Sequence, residues 1–294
     1  MKKVLLVVPT ILLCFLLCSC SGADPQDVII TFDSFENKEG VILASKDMIY
    51  VNGAWSDPLE YLGDPATVLM LEENGAYAFV QDADSYEVSL LFFDYADLSA
   101  EVITSIELPD SVIRSGYTGT ELFFRTQDPN ASSQIYTLLS LETYETRRIA
   151  DDDSEFQTVL SAEGDPCDCC AGRYSAVRND ENVAGLIVRG GRLKITDTET
   201  EEEKVVDSRL VKSCKEGKAL LKLEGGLRRL LGFSEAYEND GGLFLLNCIE
   251  VNPLGNESCY YIVFKYDFES DTVEYYSSVF MEKYKSIDHM RIVG

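Results

Sequence analysis

Cysteine is the residue type in this chain with the most chemistry open to it. Six thiols stand in the body of the sequence: Cys167, Cys169 and Cys170 in one run, then Cys214, Cys248 and Cys259. Cys167-Asp168-Cys169-Cys170 contains a Cys-x-x-Cys spacing, which suits a redox dithiol or one half of a zinc site. A redox thiol needs its pKa lowered by cations or a helix N-terminus, whereas Asp165 and Asp168 act in the opposite sense. A zinc site needs four ligands, and Cys214 is the one obvious recruit outside the cluster. Structural disulfides therefore rank first, a metal site second and a catalytic thiol third. The candidates are Cys248, Cys259, Cys167, Cys169, Cys170 and Cys214. Cys248 and Cys259 flank the turn-forming run Asn252-Pro253-Leu254-Gly255-Asn256 and are expected to face each other across a hairpin.

Other catalytic constellations are hard to assemble. His289 is the single histidine, which excludes zincin motifs and multi-histidine metal sites and leaves a surface residue as the first reading. There is no Gly-x-Ser-x-Gly and no Ser-x-x-Lys, and Gly217-Lys218 is followed by Ala219 rather than by the Ser or Thr of a P-loop. No cofactor and no metal are expected. Carboxylates are plentiful, so a glycosidase pair stays open; its roles depend on separations that a sequence does not carry. Asp82-Ala83-Asp84-Ser85-Tyr86-Glu87 and Asp151-Asp152-Asp153 lack the spacing of a calcium loop and read first as solvated turns.

The charge balance narrows the partners. With 25 Lys+Arg against 51 Asp+Glu, the net charge is −26, which repels nucleic acid. One run breaks this background: Lys204, Arg209, Lys212, Lys215, Lys218, Lys222, Arg228 and Arg229. Lys212, Lys215, Lys218, Lys222, Arg228 and Arg229 form a candidate patch for an anionic wall polymer, a headgroup layer or an acidic partner face. The plainer reading is a solvated edge whose lysines discourage strand-to-strand association. With 46% apolar residues and 11% aromatics, the body is long and apolar enough to bury a core.

The elements that must position these groups are strands. Short β-rich runs alternate with Gly, Asp, Asn and Ser turns. The pattern predicts strands over Val28–Phe32, Val41–Ala44, Met48–Val51, Val68–Leu71, Ala76–Val80, Val88–Phe93, Glu101–Ile106, Glu121–Arg125, Gln134–Leu139 and Glu145–Ile149. It continues with Ala184–Val188, Arg192–Ile195, Glu203–Val206, Leu243–Glu250, Tyr260–Tyr266 and Thr272–Ser278. In Lys218–Phe233 the leucines suit a helix, but Gly225-Gly226 argues for a hairpin.

One unit recurs: an apolar strand, an acidic or Thr-rich turn, and a second strand. Its copies are centred on Asp94–Ser99, Ser140–Glu145, Asp197–Glu201 and Asp267–Thr272. The unit resembles the outer hairpin of β-propeller blades. Between Tyr95, Leu141, Ile195 and Tyr266 the spacings are 46, 54 and 71; the first two suit a blade repeat and the third does not. Trp55 is the sole tryptophan and there is no Trp-Asp, which disfavours WD40, kelch and quinone-type repeats. The expectation is an all-β chain, a degenerate propeller of about five to seven blades, with a β-sandwich pair as the alternative.

The first residues suggest where that body works. Lys2 and Lys3 precede an apolar run, Val4–Leu17, too short to span a bilayer comfortably. Leu17-Cys18-Ser19-Cys20 resembles the lipobox of bacterial lipoproteins, with Cys18 where a smaller residue is usual. The resemblance implies cleavage after Ser19, a diacylglycerol on Cys20, and a cell-envelope, extracytoplasmic location that permits disulfides. It divides the chain into a signal peptide (1–19), a lipidated tether (20–26) and a strand-rich domain (27–294). The expected function is an envelope-anchored, noncatalytic binding or scaffold lipoprotein whose partners are the membrane, through the lipid, and a protein or cell-wall polymer. A glycan-acting enzyme with paired carboxylates ranks next and a solute receptor last.

Overall fold

The computed structural model describes residues 34–127, 133–150, 173–178, 192–222, 228–239, 242–251 and 258–294, with Phe32, Val159, 182–183 and 186–187. The chain opens with β1 (Val41–Ala44), β2 (Ile49–Val51) and β3 (Ala54–Trp55), then a small hairpin of β4 (Glu60–Tyr61) and β5 (Asp64–Pro65). A first complete sheet follows: β6 (Thr67–Leu71), β7 (Gly75–Gln81), β8 (Glu87–Asp94) and β9 (Ala100–Glu107). The second comprises β10 (Arg114–Tyr117), β11 (Glu121–Gln127), β12 (Gln134–Ser140) and β13 (Thr146–Ala150). The third contains β14 (Tyr174–Arg178), β17 (Leu193–Asp197) and β18 (Glu203–Val206), with β15 (Asn182–Val183) and β16 (Leu186–Ile187) paired separately. A 3₁₀ turn (Ser208–Ser213) and helix α1 (Lys215–Lys222) lead to the fourth sheet. That sheet is β19 (Arg228–Asn239), β20 (Gly242–Val251), β21 (Ser258–Asp267) and β22 (Thr272–Met281), and β23 (His289–Ile292) ends the chain.

These sheets are the five blades of a β-propeller, each an antiparallel meander. The fifth joins the two ends of the chain: its order is β23-β1-β2-β3, with Leu43 opposite Met290 and Ala44 opposite His289. The inner strands β10, β6, β23 and β19 are successive neighbours around the ring, and β14 and β17 approach β19. Five radial blades, in place of two packed sheets, replace the β-sandwich alternative.

Strand alternation explains the ring. Along β21, Tyr260, Ile262, Phe264 and Tyr266 feed the core shared with the third blade, which includes Ala176, Leu193 and Ile195. The intervening Cys259, Tyr261 and Val263 feed a different core, shared with Val41, Leu43, Met290 and Ile292 of the closing blade. A strand buried on both faces reads as a continuous apolar run, as β21 does. Ile42, Ala44 and Ile49 likewise pack on Val68, Leu71 and Phe93 of the first blade, while Leu90 meets Leu122 and Phe124 of the second.

The recurring turn has one geometry. In three of the four copies the opening residue's carbonyl accepts from the amide four residues on: Asp94 from Leu98 at 2.8 Å, Ser140 from Tyr144 at 2.9 Å and Asp197 from Glu201 at 2.8 Å. Those fourth residues are left-handed, with φ of 54°, 56° and 59°, and Asp271 in the last copy has 51°. The opener's side chain stabilises the turn: Asp94 Oδ1 accepts from Ala96 N (2.7 Å), Asp197 Oδ1 from Glu199 N (2.9 Å) and Asp267 Oδ1 from Ser270 N (3.0 Å). A carboxylate or hydroxyl is therefore the requirement at the first position. Each of the four turns joins the two outer strands of a blade.

Several expectations need correction. The third spacing is long because the 3₁₀ turn, α1 and strands of 10 or 12 residues lie between Ile195 and Tyr266. Lys218–Phe233 contains the end of a helix and the start of a strand, not a hairpin; Gly225-Gly226 lies outside the described residues. Phe32 has helical backbone where a strand was expected, and its ring stacks on Tyr260 at 4.1 Å; 28–31 lie outside the described residues. Of 184–188, Leu186–Ile187 is a described strand.

Candidate binding cleft at the closure seam

A cleft of about 1090 Å³ opens where the closing blade meets the first and fourth blades. Its floor is the start of β1 and the end of β2, and its walls are turns. Asn52 and Gly53, with φ of 52° and 84°, make a tight type I′ hairpin between the paired Val51 and Ala54. Asn52 Nδ2 donates to the Tyr95 carbonyl (3.3 Å), and Tyr95 N donates to the Asn74 carbonyl (3.1 Å). Two turns of the first blade are thereby fastened to each other and to the closing blade.

The opposite wall is the strap Asn37–Gly40, which runs along the outer strand β22. Asn37 Oδ1 accepts from Tyr275 OH at 2.6 Å and from Ser278 N at 3.0 Å. Lys38 N donates to the Tyr276 carbonyl at 3.0 Å, and Tyr276 OH donates to the Glu39 carbonyl at 3.2 Å. Lys38 Nζ pairs with Glu274 at 3.3 Å and sits 5.3 Å from the Tyr276 ring centroid. The strap meets the last strand at Gly40, where φ is 87° and a Cβ would lie 2.0 Å from the Val293 carbonyl oxygen. Glycine is required there on both counts.

The side chains offered to the cleft are carboxylates (Glu39, Glu73, Asp94), amides (Asn37, Asn52, Asn74) and tyrosine rings (Tyr50, Tyr95, Tyr276). Among the described residues the one cation in its lining, Lys38, is engaged by Glu274. Burial pushes the Tyr50 and Tyr95 phenols up, and the Tyr95 hydroxyl has no hydrogen-bond partner. Carboxylates beside amides and aromatic rings suit a neutral or cationic polar ligand and reject an anionic one.

The cysteines fall differently from expectation. Cys248 and Cys259 reach the same face of one hairpin, in the core between the fourth and closing blades, but they are not directly opposed. Cys248 faces Tyr261 and Cys259 faces Glu250, so the pair is diagonal, and both are free thiols. A hydrogen bond from the Cys248 thiol raises its own pKa and lowers that of Cys259. Cys214 is also free and half-buried; Gly217 N donates to its sulfur at 3.2 Å, and burial pushes its pKa up. Cys20, Cys167, Cys169 and Cys170 lie outside the described residues.

Lys212, Lys215, Lys218 and Lys222 are exposed on the 3₁₀ turn and α1, whereas Arg228 and Arg229 open β19 with side chains outside the described part. His289 is half-buried on the inner strand of the closing blade rather than on the surface. Asp82 closes its own turn, accepting from Asp84 N (2.9 Å), Ser85 N (2.7 Å) and Ser85 Oγ (2.9 Å). Those bonds hold its carboxyl below the usual range. Residues 151–153 lie outside the described part. Among the described residues no group of three or more His, Cys, Asp or Glu converges in a way that could hold a metal ion.

The seam cleft was not foreseen in the sequence, because it needs residues about 240 positions apart to meet. Asn52-Gly53 between Val51 and Ala54 was the one local signal available, a tight-hairpin pair.

No family model matches the chain, and no curated protein matches it. Among solved structures, the crystal structure of TolB from Acinetobacter baumannii is similar over 82% of this chain, at 9% identity and a TM-score of 0.27. The chain spans 66% of that protein's length, just under two thirds. A likeness that slight fixes neither fold nor function; the propeller is established by strand order and inner-strand adjacency.

Proposed function

We propose that the protein is a noncatalytic, lipid-anchored binding module of the cell envelope that holds a polar, uncharged stretch of wall glycan in the seam cleft. The observation that carries the reading is the lining: carboxylates, amides and tyrosine rings converge in one cleft whose lysine is already paired. Sugars are bound by this combination, hydroxyls to carboxylates and amides, ring faces to aromatics. Anchoring through Cys20 and an extracytoplasmic location are supported by the leader, Lys2-Lys3, the apolar run and Leu17-Cys18-Ser19-Cys20.

Titration calorimetry with soluble, uncharged wall glycan fragments tests the reading. Binding should weaken about tenfold in Glu73→Gln and in Asn74→Ala, the loss of about one hydrogen bond to a sugar hydroxyl each. Absence of binding, or bond cleavage in the recovered fragments, would overturn it. Mass analysis of the native N-terminal peptide should show diacylglycerol on Cys20.

A further inference from the structure

We infer that the lysine stripe Lys212, Lys215, Lys218 and Lys222 docks on anionic phospholipid headgroups and turns the rim between the third and fourth blades toward the membrane. The inference rests on the anchoring proposed above. Its geometry starts with what α1 buries. Gly217 and Leu220 are buried and Leu221 packs beside them, with Val211 of the 3₁₀ turn in the same core. A Cβ on Gly217 would lie 1.9 Å from the Val211 carbonyl oxygen, so helix and turn are pressed together and held in one orientation. Lys215, Lys218 and Lys222 recur at the spacing of a helix face, and Lys212 continues the row into the turn.

All four lysines are exposed, and among the described residues none of them has a hydrogen-bond or ion-pair partner. Four of the other described lysines are ion-paired, Lys38 with Glu274, Lys194 with Glu203, Lys204 with Glu202 and Lys285 with Asp47, and the rest, Lys46, Lys265 and Lys283, stand singly along the sequence rather than in a row. Between 212 and 222 the one carboxylate is Glu216, half-buried. Four unpaired cations in one row on a chain of net charge −26 form a local field opposite in sign to the rest. The acidic turns beyond about 8 Å are screened at physiological salt and do not cancel it.

Position favours headgroups as the anion. Ser213 bridges the row to β22, donating through Oγ to the Val273 carbonyl (3.4 Å) and accepting from Val273 N (2.7 Å). Two residues further along that strand, the Phe35 ring packs on Tyr275 at 5.0 Å, and Asn37 accepts from the Tyr275 hydroxyl. The lysines and the start of the described chain thus ride on the same outer strand. Cys20 precedes Phe32 by twelve residues, a reach of at most about 40 Å. A lipid on Cys20 therefore keeps this rim within tether length of the bilayer. Each lysine at an anionic surface is worth about a fivefold gain in partition, so four give on the order of several hundredfold.

The test uses the full lipoprotein in vesicles of phosphatidylglycerol mixed with phosphatidylcholine, against phosphatidylcholine alone. Amine acetylation is read lysine by lysine by mass spectrometry, with exposed Lys46 and Lys283 as references. The four stripe lysines should react at least fivefold more slowly on the anionic vesicles, and high salt should abolish the difference. Lys212→Glu, Lys215→Glu, Lys218→Glu and Lys222→Glu combined should keep the β-type circular dichroism and lose the salt-sensitive binding. Equal acetylation on both vesicles overturns the docking. So does protection by soluble polyphosphate without protection by anionic vesicles, which would reassign the row to a wall polymer. The mass of the Cys20 peptide from the same sample reports separately on the anchor, so a bare sulfur and an unprotected lysine row are distinct failures.

Discussion

The fourth and closing blades are both four-stranded antiparallel meanders, and they divide the molecule's stability unequally. The fourth is built from one continuous stretch of chain, with strands of 10 to 12 residues and two inter-blade cores fed by alternate residues of β21. The closing blade has strands of 2 to 4 residues drawn from opposite ends of the chain. The fourth blade can therefore pair by local hairpins, whereas the closing blade depends on a contact that spans nearly the whole sequence. Its weakness lies in that junction.

Removing residues 288–294 should have the largest effect. Met290 and Ile292, 2% and 3% exposed, would leave the core along with the β1 ladder. Losing two such side chains costs about 4–6 kcal/mol, a large part of ordinary domain stability. Denaturant unfolding should become broad or vanish; a sharp transition at the original midpoint would refute the unequal division. Gly40→Ala comes next, with a left-handed backbone and a clash against Val293, at a cost of about 2 kcal/mol or more. An unchanged melting temperature would show that the strap does not fasten the seam.

In the fourth blade the corresponding flaw is internal. Asn247 is fully buried with neither amide atom hydrogen-bonded, between Leu245 and Ile249 on β20. Asn247→Leu should stabilise the protein by about 1–2 kcal/mol, since an unpaired buried amide is costly. Destabilisation on chemical denaturation would mean that the site cannot hold the larger side chain. Leu62 gives a smaller gain near the seam: it is left-handed, with φ of 54°, and 88% exposed in the β4–β5 turn. Leu62→Asn should add about 1 kcal/mol, or a few degrees in Tm.

The contact between the third and fourth blades supplies a test by pH. Arg173 donates to the buried Asp197 at 2.5 Å and 3.0 Å, and its guanidinium holds that carboxyl at about pKa 2. Glu238 of β19 accepts from Arg173 N and Tyr174 N at 3.1 Å and 2.8 Å, tying the two blades together. Because the folded pKa lies below the ordinary aspartate value, this contribution is full above about pH 4 and is lost as pH falls toward 2. Arg173→Ala should move the acid-unfolding midpoint to higher pH. An unmoved midpoint would place the acid-sensitive link elsewhere.

Much of the architecture was legible because it is local. The turn openers Asp94, Ser140, Asp197 and Asp267 mark blades directly, since the side chain that stabilises each turn is the one conspicuous in the sequence. The continuous apolar runs of β7, β8, β20 and β21 announced strands buried on both faces. The closing blade was harder: β23 is four residues long, and its partner is more than 240 positions away. The cleft inherits that difficulty. Glu39, Asn52, Asn74 and Tyr276 have no shared pattern until the ring brings the chain ends together. The lysine row was visible as composition, but only the burial of Leu220 and Gly217 shows that its members share one outward face.

Pairing β23 with β1 also fixes a timetable. No nascent chain that has yet to reach β23 contains a complete fifth blade, so β1 waits beside an open gap until His289–Ile292 have been made. A chain kept unlocked in this way stays threadable up to the moment that strand arrives.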